Sequence, residues 1–296
     1  MQTSGLIMVT GTSSGVGQAC AKLLARKGYG VLACVRREED GLKLKHHSPE
    51  LIHPVIVELQ NQKTIEQAAQ TAKELSAGNG VKCLVNCAGN LYCGPLEYFP
   101  REFWFPQYDV NLFGTMALTR AILPLIRRAS GRIITIGAVG GGVALPFYGS
   151  IASSKIALQA ANDCLRRELH PWGIHVVVIE PGGINTPAND KMRRSVHEFL
   201  NNIDSEGFDR YASPMNDFSS WAHKMHQKSL EPEQVALKVL KVIETRRPKP
   251  RYRMGWDSRG MALLAWLLPD RLFDIVLLKV ASLPWRFGAW QHLGGK

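Results

Sequence analysis

The sequence predicts a doubly wound α/β fold, in which a parallel sheet is covered by helices on both faces. Two observations predict it. Short runs rich in Val, Ile and Leu alternate with helix-length segments through roughly the first 180 residues, and a glycine-rich segment joins the first apolar run to the first helical one. In a sheet of this kind, ligands bind outside the carboxyl ends of the strands.

Six apolar runs are predicted as strands, and four longer segments between them are predicted as helices. The strands are 6–9, 30–34, 53–58, 82–86, 132–136 and 175–179. The helices are 16–27, 65–76, 103–128 and 153–170. Because parallel strands need crossover connections, this alternation places the strands in one sheet.

The alternation stops after Pro181, and this change predicts how the chain is organised. We expect one sheet domain over residues 1–250, interrupted at 187–230 by an irregular polar insertion that shapes a substrate pocket. A helical pattern returns at 231–245. Residues 251–296 are basic and then apolar, and we expect them to form a cap on that pocket.

Composition describes an ordinary soluble protein, with 45% hydrophobic and 21% charged residues in 296. The six cysteines form no Cys-x-x-Cys pair, and no histidine lies at zinc-ligand spacing from them, so we expect no metal site. Small buried thiols and the lack of a signal-peptide pattern favour a reducing, cytoplasmic location. Cys93 is the exception, because its loop should face the active site.

The net charge of +11 is densest at 246–253, which contains five Arg and Lys residues and no nucleic-acid motif. We expect no nucleic-acid partner. A solvated loop is the favoured interpretation of this run, and attraction of phosphate or anionic lipid is the alternative. Residues 261–289 are apolar but interrupted by charges, which fits a pocket-capping or membrane-surface segment better than a spanning one.

Residues 11–17 read Gly-Thr-Ser-Ser-Gly-Val-Gly and carry the clearest functional signal. They lie at a strand-to-helix junction, where glycines let backbone amides approach a pyrophosphate at a helix N-terminus. The residues assigned to the phosphates are Gly11, Ser13, Ser14, Gly15, Val16 and Gly17. The sequence therefore predicts a dinucleotide site.

The glycine spacing, together with motifs further along the chain, resembles the short-chain dehydrogenase/reductase family over roughly residues 3–190. The matching positions are Asn86, Ala88, Gly89, Asn111, Lys155, Pro181, Gly182, Ile184 and Thr186. The resemblance implies a Rossmann fold in which these residues hold a nicotinamide cofactor. Val-Arg at 35–36 and Leu-Pro-Asp-Arg-Leu at 268–272 are most similar to the hydroxysteroid and retinol dehydrogenase branch.

The end of the second strand indicates which cofactor is used. An acidic residue there would bind a ribose 2′-hydroxyl and repel a 2′-phosphate. This chain has Arg36 and Arg37 instead, and a guanidinium can bind phosphate through paired charge-assisted hydrogen bonds. We therefore favour NADP(H). Glu58 and Leu59 occupy the place where the family usually has an acidic residue beside the adenine.

The catalytic motif of the family is incomplete. The resemblance implies a serine that orients the substrate carbonyl, a tyrosine that exchanges a proton, a lysine that holds the nicotinamide ribose and an asparagine that holds a water. Asn111 and Lys155 match, but the tyrosine position is Ile151 and the serine position is Ala138. Neither side chain carries an exchangeable proton. Loss of a positioned general acid costs about a hundred- to ten-thousand-fold in rate.

A relocated acid is the main alternative. Tyr148 is three residues earlier than Ile151, and it is either a new proton donor or an aromatic wall of the substrate site. Tyr92 and Cys93, in the loop after the fourth strand, are further candidates. Any of them would need to reach hydrogen-bonding distance of the reacting oxygen.

Three functions follow. The favoured one is an NADP(H)-dependent enzyme that acts on a lipophilic small molecule by non-standard chemistry. The second is a pseudoenzyme that senses nucleotide or serves as a scaffold, and the third is ordinary carbonyl or alcohol redox chemistry through Tyr148. The resemblance also implies a homodimer through the helices at 103–128 and 153–170, and the tail leaves peripheral membrane contact open.

Overall fold

A computed structural model describes residues 4–138, 143–226 and 229–286. Within them, one parallel sheet has the strand order β3-β2-β1-β4-β5-β6-β7. Its strands are β1 Leu6–Val9, β2 Gly30–Val35, β3 Ile52–Ile56, β4 Val81–Asn86, β5 Arg132–Ile136, β6 His175–Pro181 and β7 Arg251–Met254. The doubly wound fold is confirmed.

Helices connect the strands and cover both faces of the sheet. They are α1 Gly15–Arg26, α2 Glu38–Lys45, α3 Gln62–Leu75, α4 Arg101–Tyr108, α5 Thr115–Arg128, α6 Gly149–Glu168, α7 Ala188–Asn202, α8 Ser205–His226, α9 Pro232–Glu244, α10 Trp256–Leu267 and α11 Asp270–Val280. The predicted helices match α1, α3, α6 and α9 to within four residues at each end. The remaining predicted helix, 103–128, corresponds to α4 and α5.

The period of two along β1 builds a core on each face of the sheet. Ile7 and Val9 join the cluster that contains α1 and α9. Leu6 and Met8 point the other way, into the cluster that contains α3 and α5. Since all four residues are buried, β1 lies at the centre of a two-sided core and fixes the position of the glycine loop that follows it.

The helix from residue 101 to residue 128 is interrupted by a π-helical turn, Asp109–Gly114. By length and mean hydropathy (1.2 over its most apolar window) this helix could cross a membrane. Its apolar face is already used, because Leu118 and Ile122 are fully buried beneath the sheet. It is therefore a core helix of the fold.

Two expectations about the second half of the chain need correction. The predicted irregular insertion at 187–230 contains the helices α7 and α8; their apolar residues are spaced among many polar ones, which hid the helical period. The predicted domain boundary at residue 250 falls immediately before β7, which is the seventh strand of the sheet. The sheet therefore extends into the segment predicted as a cap.

The remaining part of that segment, as far as residue 286, forms α10 and α11. The segment after α11 packs Ala281 and Leu283 against Phe218 and the aromatic residues at 147–148, and its role as a pocket cap stays a prediction. Residues 287–296 of the predicted cap lie outside the described residues. Four of the six cysteines are buried as expected, whereas Cys87 is partly exposed and Cys164 is exposed.

Candidate functional site

The glycine loop between β1 and α1 has the conformation that a phosphate cradle requires. Gly11 and Gly15 have φ values of +67° and +56°, a backbone conformation that residues other than glycine rarely adopt. A Cβ on Gly17 would lie 2.2 Å from the carbonyl oxygen of Gly11. The helix N-terminus therefore packs directly on the loop, with the exposed Ser14 as its N-cap residue.

The loop is braced by the ends of two neighbouring strands. The Thr10 hydroxyl oxygen accepts hydrogen bonds from the backbone amides of Cys87 and Ala88, both at 3.0 Å. The Thr12 hydroxyl donates to the carbonyl of Cys34 at 2.9 Å. These contacts hold the loop rigidly at the carboxyl end of the sheet. Thr10 and Thr12 were not among the predicted site residues, although both are hydroxyl residues within the motif.

The other loop positions fit the same cradle. The Ser13 carbonyl accepts from the Gln18 side chain at 3.3 Å, and Val16 is buried under the helix. Thr186 lies against Gly15, since a Cβ there would be 3.1 Å from the Thr186 methyl carbon. The segment that follows β6 therefore meets the glycine loop.

Arg36 and Arg37 follow β2 and differ in their partners. Arg37 forms exposed ion pairs with Glu39 at 3.1 Å and with Asp40 at 3.3 Å. Arg36 is also exposed, and within the described residues no carboxylate lies within ion-pair distance of it. Arg36 is therefore the guanidinium that is free to bind an added phosphate.

The segment after β3 lies beside the π-helical turn. Glu58 is exposed and its backbone is bonded to the Thr64 hydroxyl at 3.0 Å, whereas Leu59 is buried. The Leu59 carbonyl packs closely against Gly114. A Cβ added to Gly114 would lie 2.1 Å from the Leu59 carbonyl oxygen. The Glu58 side chain consequently faces solvent.

Asn86 and Gly89 lie at the end of β4. The Asn86 amide donates to the Thr119 hydroxyl at 3.3 Å, and its buried Oδ1 has no hydrogen-bond partner among the described residues. Gly89 lies where a Cβ would be 3.2 Å from the Asn111 Oδ1 and 3.5 Å from the Lys155 Nζ. The loop after β4 thus brings the two matching catalytic-motif residues together.

Asn111 lies inside the π-helical turn, and its side chain is fully buried. Its Oδ1 accepts from the backbone amide of Asn90 at 2.8 Å, and its Nδ2 donates to the Ser154 hydroxyl at 3.0 Å. The Ser154 hydroxyl in turn donates to the carbonyl of Ile151 at 2.9 Å. Asn111 therefore ties the loop after β4 to the catalytic segment of α6.

Lys155 projects from α6 toward the end of β5, where its Nζ donates to the Ile136 carbonyl at 3.3 Å. Burial lowers the pKa of this ammonium group from 10.5 to about 8, partly opposed by the neighbouring Cys87. The lysine is thus fixed against the end of β5, and it is easier to deprotonate than an ordinary lysine.

Ile151 lies one turn before Lys155 and is 8% exposed within an apolar cluster. The same cluster contains Cys93, Met192 and Phe199. Ala138, at the serine position, is partly exposed, and residues 139–142 of the same loop lie outside the described residues. The two positions that would exchange the proton and orient the carbonyl therefore carry no polar side chain.

Tyr148 is the N-cap residue of α6, and its hydroxyl donates to the thioether sulfur of Met192. Its ring packs edge-on against Phe218, with centroids 5.2 Å apart. Burial and the nearby Cys93 raise its pKa well above the usual value. These contacts are those of a residue in the aromatic wall of a pocket.

The segment after β6 is held by an acidic side chain from the C-terminal part of the chain. Asp257 accepts from the Gly183 amide at 2.7 Å, and a Cβ on Gly182 would lie within 1.9 Å of that carboxylate. Ile184 forms a bridge with Leu230, just before α9. Asp257 could not be predicted from a local motif, because it lies 74 residues from Gly183, whose amide it binds.

Comparison with known proteins agrees with this geometry. The family model described as short chain dehydrogenase matches residues 5–197, which is more than half of the chain. This chain belongs to the short-chain dehydrogenase family of oxidoreductases.

Two relatives cover nearly the whole chain. Retinol dehydrogenase 16 of Homo sapiens is 31% identical over 283 residues, which are 94% of this chain and 89% of that protein. The NADPH-dependent 3-dehydrocapnine reductase of Ornithobacterium rhinotracheale is 31% identical over 278 residues, 92% of this chain and 95% of that protein. The chain is thus placed in the retinol and hydroxysteroid dehydrogenase-like branch.

Solved structures show the same fold at lower identity. A short-chain dehydrogenase from Streptomyces avermitilis superposes with a TM-score of 0.75 at 23% identity, covering 95% of this chain and 98% of that one. A Burkholderia cenocepacia short chain dehydrogenase in complex with NADP superposes with a TM-score of 0.71 at 24% identity, covering 96% of this chain and 100% of that one.

Proposed function

We propose that this protein binds NADP(H) at the glycine loop and acts on a lipophilic small molecule beside Ile151, by chemistry that needs no proton donor at that position. The cofactor assignment is supported by the loop itself, because Gly17 packs on the Gly11 carbonyl with no room for a side chain, so the backbone amides at the start of α1 stay open to a pyrophosphate. The unpaired guanidinium of Arg36 supports the phosphorylated form of the cofactor. A relative whose name specifies NADPH points the same way.

The proposal rests on the contrast between Lys155 and Ile151, two residues one turn apart on α6. Lys155 remains in position to hold a ribose, whereas Ile151 is buried among Cys93 and Met192. When bound, the cofactor would supply a hydride. A simple ketone would then need a proton on its oxygen, and neither Ile151 nor Ala138 can give one.

An acceptor that is already activated avoids this requirement. In an iminium ion, hydride adds to carbon and the C=N electron pair moves to nitrogen, so no proton is transferred. In a conjugated enone, hydride adds to the β-carbon, and water can protonate the resulting enolate afterwards. The apolar cluster around Ile151, with Phe199 and Met215 buried in it, suits the hydrocarbon part of such a substrate.

The test has two parts. We expect the purified protein to bind NADPH, seen as a change in nucleotide fluorescence, and to oxidise it with lipophilic iminium ions or conjugated enones. Turnover should be faster than with saturated ketones of similar size. Failure to bind any nicotinamide nucleotide would refute the proposal.

A pseudoenzyme is the second candidate, favoured by the fact that the tyrosine and serine positions both carry apolar residues and that Ile151 is buried in a packed cluster. Under this alternative NADP(H) would act as a sensed ligand. Tight nucleotide binding without turnover across the whole panel would favour it over the first proposal.

We also propose a homodimer and a peripheral membrane contact for a cytoplasmic protein. Phe113 and Ile156 are exposed on the neighbouring helical segments that the family uses for dimerisation (56% and 40%). Leu263 and Trp266 are exposed on α10 (55% and 80%). Sedimentation tests the homodimer. Flotation with phosphatidylcholine vesicles tests the membrane contact, and we expect it to be lost in Trp266→Ser.

A further inference from the structure

A cavity of about 430 Å³ lies at the opposite end of the sheet from the glycine loop. It exists because β7 pairs with β6 only from Val178 onward, so the first three residues of β6 have no neighbour on that side. Pro248 and Pro250 run alongside instead. Proline has no N–H with which to extend the ladder, and this edge of β6 therefore stays open.

The lining of this cavity is basic. Arg166 and Arg167 come from the last turn of α6, His170 from the turn that follows, and His175 from the first position of β6. The nine residues that line it, all in the described part of the chain, include no Asp or Glu. Arg166 is paired with Asp163, which leaves Arg167 and the two imidazoles without a carboxylate partner in the described structure.

The basic segment at 246–249 is fixed beside this cavity. Arg132 donates to the carbonyls of Val242 at 2.5 Å and Thr245 at 2.8 Å, and so anchors the end of α9 where the segment begins. Pro248 and Pro250 then place the segment along the cavity. The arginine-rich run is thus anchored at its start and lies beside the cavity.

The side chains of this segment add to the positive charge. Arg246, Arg247 and Lys249 are exposed, and the described residues place no carboxylate within ion-pair distance of them. The acidic groups on the adjoining segments are Glu168 and Glu244, which are exposed, and Asp163, which is already shared by two arginines. Cations therefore outnumber available carboxylates around the opening.

We propose that this cavity binds phosphate groups, as a second anion site that is separate from the cofactor loop. The guanidinium groups of Arg166 and Arg167 line it from the end of α6, and the exposed cations of the 246–249 segment flank the lining residue Pro248, an arrangement that suits the several oxygens of a phosphate. The imidazoles of His170 and His175 also line the cavity and can donate further hydrogen bonds. The ligand class is a molecule with more than one phosphate, either soluble or the head group of a phosphoinositide lipid.

The test compares three proteins: wild type, the double variant Arg167→Gln/Arg247→Gln, and the control Lys63→Gln/Lys73→Gln. The control removes the same charge from exposed positions on α3. Inorganic pyrophosphate is titrated by calorimetry in the presence of saturating NADPH, which occupies the glycine loop, and flotation is measured with phosphatidylcholine vesicles with and without a phosphatidylinositol bisphosphate. Thermal unfolding of each variant verifies the fold.

We expect the double variant to bind pyrophosphate at least about tenfold more weakly than the control. Flotation that increases with the phosphoinositide, and is lost in the double variant, would identify the lipid head group as the source. Weakened pyrophosphate binding without such flotation would identify a soluble phosphate ligand. Equal pyrophosphate binding by the double variant and the control, or no binding by the wild type, would overturn the proposal.

Discussion

Ile151 and Lys155 lie one helical turn apart on α6, with the lysine Nζ 3.3 Å from the Ile136 carbonyl and the isoleucine side chain buried in an apolar cluster. Residues four apart share a face of a helix, so both point toward the end of the sheet. The same face therefore keeps the group that would hold a ribose and lacks the group that would give a proton.

Restoring both missing groups should produce a carbonyl reductase. In Ala138→Ser/Ile151→Tyr the new phenol lies one turn from the Lys155 ammonium, which would lower its pKa and let it protonate a ketone oxygen. A positioned acid contributes about a hundred- to ten-thousand-fold. We expect at least the lower gain in NADPH-dependent reduction of a lipophilic ketone, measured as loss of NADPH absorbance.

The matched control is Ala138→Ser/Ile151→Phe, which adds the same ring without the hydroxyl. A larger ring next to Cys93 and Met192 costs about 1–3 kcal/mol of overpacking in both variants, so only the proton donor differs between them. If the two variants are equally inactive although both bind NADPH, the pocket has been rebuilt for a different reaction.

Arg36 should determine the choice between NADPH and NADH. Since it has no ion-pair partner in the described structure, whereas Arg37 is paired with Glu39 and Asp40, its loss removes the freer phosphate contact. We expect Arg36→Ala to weaken NADPH binding about ten- to a hundredfold and to leave NADH binding unchanged. The exposed Lys63→Ala serves as control, and equal weakening of both nucleotides would contradict the assignment.

The sequence was sufficient for the parts of the fold whose pattern is local. Strands β1 and β5 match the predicted bounds, and the other four differ by at most two residues, because buried parallel strands are apolar at every position. β7 was missed because its sequence, Arg-Tyr-Arg-Met, lacks that pattern. Its two arginines are satisfied by Glu180, a fully buried carboxylate on β6, and only the three-dimensional pairing shows this.

The site followed the same rule. Local motifs were enough to place the glycine loop and Lys155. The partner of the Tyr148 hydroxyl could not be predicted from a motif, because Met192 lies 44 residues away along the chain. The π-helical turn that carries Asn111 was also invisible, since a one-turn change of helix type leaves the apolar period nearly intact.

Gly17→Ala should destroy the nucleotide site. The added methyl would lie 2.2 Å from the Gly11 carbonyl oxygen, which is backbone and cannot rotate away. We expect a loss of about 1–3 kcal/mol in the free energy of unfolding and no measurable NADPH binding. Gly260→Ala is the control: nothing lies within 4 Å of the added methyl on α10, so stability should stay equal or rise by up to about 1 kcal/mol.

The stability of the protein should depend on pH through Lys155. Its pKa is lowered from 10.5 to about 8 on folding, so the unfolded state binds more protons between these values and stability rises with pH across that window. Below about pH 8 the buried charge costs up to about 3 kcal/mol. We expect denaturant unfolding at about pH 7 and about pH 10 to show this rise in wild type, and Lys155→Met to lack it. An equal rise in both proteins would assign the effect to another group.

Tyr148→Phe should leave turnover within about twofold if the hydroxyl serves only the pocket wall. That hydroxyl donates to Met192, and burial raises its pKa, so it is a poor acid as placed. The substitution keeps the ring against Phe218 and removes a single hydrogen bond, which costs about 0.5–1.5 kcal/mol of stability. The measurement is NADPH oxidation with the best substrate of the panel. A fall of a hundredfold or more, with the fold and NADPH binding intact, would show instead that Tyr148 turns from Met192 toward the substrate and has taken over the proton transfer.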